Sequence, residues 1–186
     1  MIVSLVHHRF TADEYAQMVR AGILTKDDRV ELIEGEIIEM SPIGPKHAAC
    51  VRRLQSLLTA AVGKRALVSI QSPVRLDDRS QPEPDVALLR PRDDCYSSAH
   101  PVPADVLLVV EVADTTQEMD RDVKLPLYAR AGIVEAWLVD LKGGHVAVCR
   151  QPGPDGYGDV RRAARGERVA PAAFPDADVP VDQLLA

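Results

Sequence analysis

The sequence predicts an α/β domain, mixed with α+β features, in which helices flank a mixed central β-sheet and additional β-hairpins extend it. Three observations predict it. Leu107-Leu108-Val109-Val110-Glu111-Val112 is too apolar and β-branched for a half-exposed strand, and reads as one buried on both faces at the centre of a sheet. Two stretches, beginning near Thr11 and Lys46, carry the apolar period and end signals of helices. Short apolar runs turned by Glu34-Gly35 and by Lys142-Gly143-Gly144 read as hairpins. Strands and helices interspersed in this way pack as layers around one sheet.

The elements follow in order. Thr11 is placed to cap a helix, with Glu14 three residues on as in a capping box and with Phe10 and Tyr15 stapling its end; that helix should run to about Gly22. Residues 29–33 and 36–40 read as two strands around the Glu34-Gly35 turn, with Glu31 and Ile33 on one face and Leu32 and Glu34 on the other. Beyond the break from Pro42 to Pro45, Val51, Leu54, Leu58 and Ala61 form the stripe of a helix expected over 46–63, where Gly63 ends it. Residues 68–70, 74–76 and 85–89 are strand candidates. Proline fits only the first turn of a helix, so Pro126 places the start of the next helix within 122–126, and Gly132 its end. Residues 135–140 and 145–150 pair as a hairpin. The Pro- and Gly-rich patches 101–103, 151–158 and 171–180 read as surface loops, and the tail should add edge strands and a final turn at 181–185.

At 186 residues the chain is expected to form one domain, 1–186, with a substantial core. An apolar content of 46% excludes a disordered chain. The longest apolar runs fall far short of the roughly 20 residues a spanning helix needs, so no membrane partner is expected. No basic stretch followed by an apolar one opens the sequence, which makes the cytoplasm the expected compartment. Cys50, Cys95 and Cys149 are few, odd in number and scattered, and give neither a disulfide framework nor a zinc pattern. The net charge of −6 argues mildly against indiscriminate attraction to nucleic acid. It does not exclude it, since carboxylates that recruit divalent cations reverse the local field.

Three residues carry the chemistry. An ionised Glu111 inside a buried strand is costly unless a metal or a cation pairs with it. Strand ends are also where α/β folds build sites. A Glu emerging into solvent fits the stretch equally well. Asp85, directed by Pro84, opens one apolar strand while Glu111 closes another. Were those strands antiparallel neighbours, both carboxylates would meet at one end of the sheet, raising each other's pKa or recruiting a cation. Oxygen donors without thiolates point to Mg²⁺ or Mn²⁺. Lys124, at the mouth of the next helix, can reach back to orient water or stabilise charge on a phosphoryl group. A surface pair with Asp120, worth about 0.3 kcal/mol, is the competing reading.

These residues carry a resemblance. Glu31-Leu32-Ile33-Glu34-Gly35-Glu36-Ile37, His47, Glu83-Pro84-Asp85-Val86, Val109-Val110-Glu111-Val112, the run from Asp120 to Lys124, and Tyr128-Ala129-Arg130-Ala131-Gly132-Ile133-Val134-Glu135-Ala136-Trp137-Leu138-Val139-Asp140 resemble the Uma-type restriction endonuclease family of the PD-(D/E)XK nuclease superfamily. The resemblance spans roughly residues 10–150, in the family's order, and the block from Tyr128 to Asp140 is its most specific part. It implies a restriction-endonuclease-like core in which Asp85 and Glu111 bind the metal, Mg²⁺ or Mn²⁺. It implies that Glu31 is the acid contributed ahead of the core and that Lys124 is a catalytic lysine displaced onto the following helix. Ala113 stands where the superfamily usually carries that lysine. Ala113-Asp114-Thr115-Thr116 also departs from the usual Ser-Pro-Ser-Thr type of run, and Asp114 either joins the site or caps a turn. His47, opening the long helix, contacts phosphate or relays a proton if it flanks the site; a solvent-exposed histidine is the alternative.

The function implied is a Mg²⁺-dependent endonuclease acting on nucleic acid, with DNA the expected substrate and a homodimer the expected state. The alternative is a catalytically silent nuclease fold that works as a binding or interaction module; hydrolysis of a smaller phosphoester ranks third. Gln71 is a weaker candidate, Tyr128 and Trp137 read as core aromatics, and His7-His8 as an N-terminal edge. The basic clusters at Arg52, Arg53, Lys64 and Arg65 and at Arg161, Arg162, Arg165 and Arg168 read as solvated faces before they read as a phosphate track.

Overall fold

The apolar run lies within an eight-residue strand, β5 (Val106–Ala113), buried along its whole length. This is a computed structural model, and it describes residues 6–25, 27–114 and 119–186. The six-stranded sheet runs β3 (Leu67–Ile70), β4 (Val86–Leu89), β5, β6 (Glu135–Asp140), β7 (His145–Gly153), β8 (Gly156–Ala164). Only β5 and β6 run parallel; every other neighbouring pair is antiparallel. The sheet is therefore mixed. A separate hairpin, β1 (Val30–Ile33) and β2 (Glu36–Glu39), turns at Glu34-Gly35.

A helix covers each face. The long α2 (Pro45–Val62) lays Cys50, Val51, Leu54, Leu58 and Val62 against Leu108, Val110 and Val112. On the other face Leu125, Leu127 and Tyr128 of α3 (Leu125–Arg130) pack with Val109 and Ala113. Alternation along β5 thus places Glu111 on the α3 side. Leu54, Leu58, Leu108 and Trp137 are fully enclosed, and each such leucine contributes about 1.5–3 kcal/mol through burial.

Near the N-terminus α1 (Ala12–Arg20) forms with the expected capping box. The Glu14 amide donates to the Thr11 hydroxyl at 3.2 Å, and the Thr11 amide to the Glu14 carboxylate at 2.8 Å. At the other end β9 (Arg168–Val169), β10 (Val179–Pro180) and the single turn α4 (Val181–Leu184) complete the chain.

Four expectations are corrected. Residues 74–76 form no strand: the Val74 amide donates to the Pro82 carbonyl and the Leu76 amide to the Ser80 carbonyl, closing a loop on itself while Val74 and Leu76 stay buried. Their apolar character reports burial, and Pro73 lacks the N–H a ladder would need. Residues 151–158 are the tip of the β7–β8 hairpin, with Gly153 opposite Gly156. In α2, Val62 takes the last buried position and Ala61 lies only partly covered. The helical segment before β6 starts ahead of the expected 122–126, through a wide π turn over Asp120–Lys124 in which the Leu125 amide reaches the Asp120 carbonyl. Of the expected Ala113–Thr116 departure, Thr115 and Thr116 lie outside the described residues.

Candidate active site

Antiparallel pairing of β4 and β5 matches Val86 with Val110, so the next residues along each strand, Asp85 and Glu111, meet at one end of the ladder. Both line a pocket of about 180 Å³, together with Glu31, His47, Gln71, Glu83, Asp114, Asp120 and Lys124. All five residues singled out from the sequence, Glu31, His47, Asp85, Glu111 and Lys124, line this one pocket. Glu111 does not emerge into solvent; it is 2 % exposed.

Each is positioned by a different element. Lys124 ends the π turn, which rotates its side chain inward beneath α3; such turns recur at functional sites. Its ammonium lies 3.1 Å from Glu31 and 3.4 Å from Glu111. A surface pair with Asp120 is ruled out, for both residues are buried. Glu31 comes from the β1–β2 hairpin and accepts a 3.0 Å hydrogen bond from the Glu83 amide. That bond fastens the hairpin to the segment leading into β4. His47, in the first turn of α2, places Nε2 2.9 Å from Asp85 Oδ2, while its Nδ1 is buried without a protein partner among the described residues. Asp85 Oδ2 also accepts from the Val112 amide at 2.9 Å, and Oδ1 from the Gln71 side chain at 3.2 Å.

The electrostatics follow from burial. Desolvation pushes the Glu111 carboxyl well above the ordinary range, against the pull of Lys124 and with added repulsion from Asp120 and Asp85. Burial alone would lower the Lys124 ammonium, but Glu111, Glu31 and Asp120 outweigh it and raise it, so it stays charged. Glu83 is raised by desolvation and by Glu31. The hydrogen bond to Asp85 raises His47 above its usual value, partly opposed by burial. Among the described residues, the carboxylates of Glu31, Glu39, Glu83, Asp85, Glu111, Asp114 and Asp120 line the pocket, with only Lys124 and Arg29 as permanently cationic partners.

Two contributors, Tyr128 and Glu83, were not assigned to the site from sequence, and Gln71 stood there only as a weaker candidate. Tyr128 is in the core, as expected, yet its hydroxyl donates to Glu111 Oε1 at 2.6 Å. The signal was available: Tyr128 stands four residues after Lys124, on the same helix face. Gln71 does face the site, from a left-handed backbone conformation at φ 43° just beyond β3. Glu83 precedes Pro84 within the Glu83-Pro84-Asp85-Val86 motif, but the motif gave it no role of its own. The arginine cluster in the tail is largely neutralised, with Arg161 paired to Glu167, Arg165 to Asp182 and Arg168 to Asp178.

Among the described residues, no three His, Cys, Asp or Glu side chains are grouped closely enough to cage a metal ion. The donor set nevertheless fits Mg²⁺ or Mn²⁺. Such ions keep several waters and need only one or two protein carboxylates, and the excess of buried negative charge favours a hard cation.

Comparison with known proteins adds the family. The model of the Uma2 family, described as "Putative restriction endonuclease", matches residues 12–182. The chain belongs to the Uma2 family. Its fold is shared by the crystal structure of a "putative nuclease belonging to DUF820" from Anabaena variabilis, at a TM-score of 0.74 and 18% identity, covering 95% of this chain and 97% of that one. No curated protein matches in sequence. No helix of the described Uma2 chain is long and apolar enough to cross a membrane.

Proposed function

We propose that this Uma2 chain, a single domain over 1–186, is a Mg²⁺- or Mn²⁺-dependent endonuclease that hydrolyses phosphodiester bonds of DNA, working as a homodimer in the cytoplasm. The observation that carries the reading is the convergence of Glu31, Asp85, Glu111 and Lys124, from four separate elements, in one pocket.

In this reading Asp85 and Glu111 hold the divalent cation. When bound, that ion supplies charge for the developing oxyanions and makes water a better nucleophile. His47 and Gln71 fix the direction of the Asp85 carboxylate, and the Tyr128 hydroxyl fixes that of Glu111. The Lys124 ammonium, kept protonated by its two carboxylates, stabilises negative charge as it builds on the scissile phosphate. Glu31 orients the lysine.

Calorimetric titration with Mn²⁺ tests the metal site. Wild type should bind, and Asp85→Asn and Glu111→Gln should each weaken binding by at least about tenfold. Binding unchanged in both variants removes the site. Plasmid and single-stranded DNA cleavage, in the same variants, then tests the reaction. Metal binding by wild type with no cleavage of either DNA would favour the catalytically silent reading, to which the many hydrogen bonds already made by Asp85 lend some support.

A further inference from the structure

Strand β8 is the outer strand of the six-stranded sheet, and among the described residues no strand pairs with its far edge. Gly158, Asp159, Val160, Arg161 and Arg162 are all exposed there, and Val160 is 57% exposed. An uncovered row of N–H and C=O groups is a template for another strand, and proteins usually blunt such edges with charge. Here the charges are self-complementary.

In an antiparallel pair of identical strands, the two-fold axis perpendicular to the sheet passes between one residue and its own copy. An axis at Val160 sets Asp159 opposite Arg161 of the second copy, and the reverse, so two opposite-charge pairs form from one short segment. Moving the axis by one residue in either direction sets Asp159 against Asp159 or Arg161 against Arg161, which repel. Val160 then meets Val160, and Gly158, without a side chain, faces the long Arg162. The in-chain register agrees on the faces: Asp159 and Arg161 sit over Arg150 and Val148, while Val160 and Arg162 sit over Cys149 and Ala147. Asp159 makes no ion pair within the described part of its own chain. Arg161 spends one nitrogen on Glu167, at 2.8 Å.

We infer that β8 is the homodimer interface, with a second copy of this chain adding antiparallel across a two-fold axis at Val160 and joining two six-stranded sheets edge to edge. This deepens the dimer named in the proposed function, and it stands apart from the metal titration: either can fail while the other holds.

Sedimentation and light scattering of wild type at about 100 µM, a range that captures moderate affinities, should report twice the 20.3 kDa chain mass. Asp159→Arg and Arg161→Asp place like charges across the axis twice, and each variant alone should run as a monomer. Mixing the two variants should restore a dimer. One then presents arginine at both positions and the other aspartate, so every opposed pair is again of opposite charge. Both positions are exposed, so folding is not at stake, and circular dichroism should be unchanged. As a direct readout, Val160→Cys in a Cys95→Ser background should form an intermolecular disulfide on mild oxidation, because Cys50 and Cys149 are buried. A monomeric wild type, a dimer that survives both substitutions, a mixture that stays monomeric, or no cross-link would each overturn the interface.

Discussion

Replacing Lys124 with Met keeps the length of the side chain and removes its charge from between two buried carboxylates. At separations of 3.1 and 3.4 Å, each attraction is worth about 5 kcal/mol at an effective dielectric of about 20. Desolvation of the ammonium offsets much of that, and removal of one partner from a buried ion pair costs about 3–5 kcal/mol net. A chain of this size shifts in Tm by about 2–4 °C per kcal/mol, so Lys124→Met should melt about 6–20 °C below wild type at neutral pH in EDTA. The deficit has a pH sign. Glu111 already has a folded-state pKa raised above its unfolded value, and loss of Lys124 raises it further. The folded state therefore binds more protons, and the variant should regain stability as the pH falls and the carboxyl becomes neutral. The double variant Lys124→Met/Glu111→Gln should recover part of the loss even at neutral pH. Thermal and urea unfolding measure all three proteins. A Lys124→Met cost below about 1 kcal/mol, or a deficit indifferent to both pH and Glu111→Gln, would refute the argument, since that is the scale of an exposed pair.

Two further outcomes follow from the same network. Tyr128→Phe keeps the ring in the core and leaves a buried carboxylate short of a donor, at a cost of about 1–3 kcal/mol in urea unfolding. The cost should grow as pH rises, because the Tyr128 hydroxyl is one of the groups that lower the Glu111 pKa. His47 is raised by Asp85, so its pairing contributes fully below the unfolded value of about 6.5 and is lost as pH rises through the folded value. His47→Ala in EDTA should therefore destabilise more at about pH 6 than at about pH 9, and an equal loss at both would remove the charged pair.

Much of the chain was legible because it is written locally. The capping box at Thr11 and Glu14, the Glu34-Gly35 turn and the apolar stripe of α2 each depend on residues within a few positions, and each formed as read apart from the stripe's last member. The acidic pair was legible for a related reason: Asp85 opens one strand and Glu111 closes the other, so antiparallel pairing alone brings them together. Local patterns misled where burial and regular structure part company. Val74 and Leu76 are apolar because they are covered, not because they join a ladder. Pro126 led to a helix start placed within 122–126, but a π turn over Asp120–Lys124 precedes Leu125 and joins it to the helix, so Pro126 lies inside one continuous helical segment.

By itself the order of residues determined the kinds of element, the buried central strand and the carboxylate chemistry of the pocket, since period and residue type are properties of neighbours along the chain. Only the tertiary structure decided which groups complete that pocket. The bond from His47 to Asp85 spans 38 positions and that from Glu83 to Glu31 spans 52. Tyr128 and Gln71 join because the sheet and α3 bring their polar atoms against Glu111 and Asp85. A buried polar group must find its hydrogen bond wherever the fold brings one, and no periodicity records where that will be.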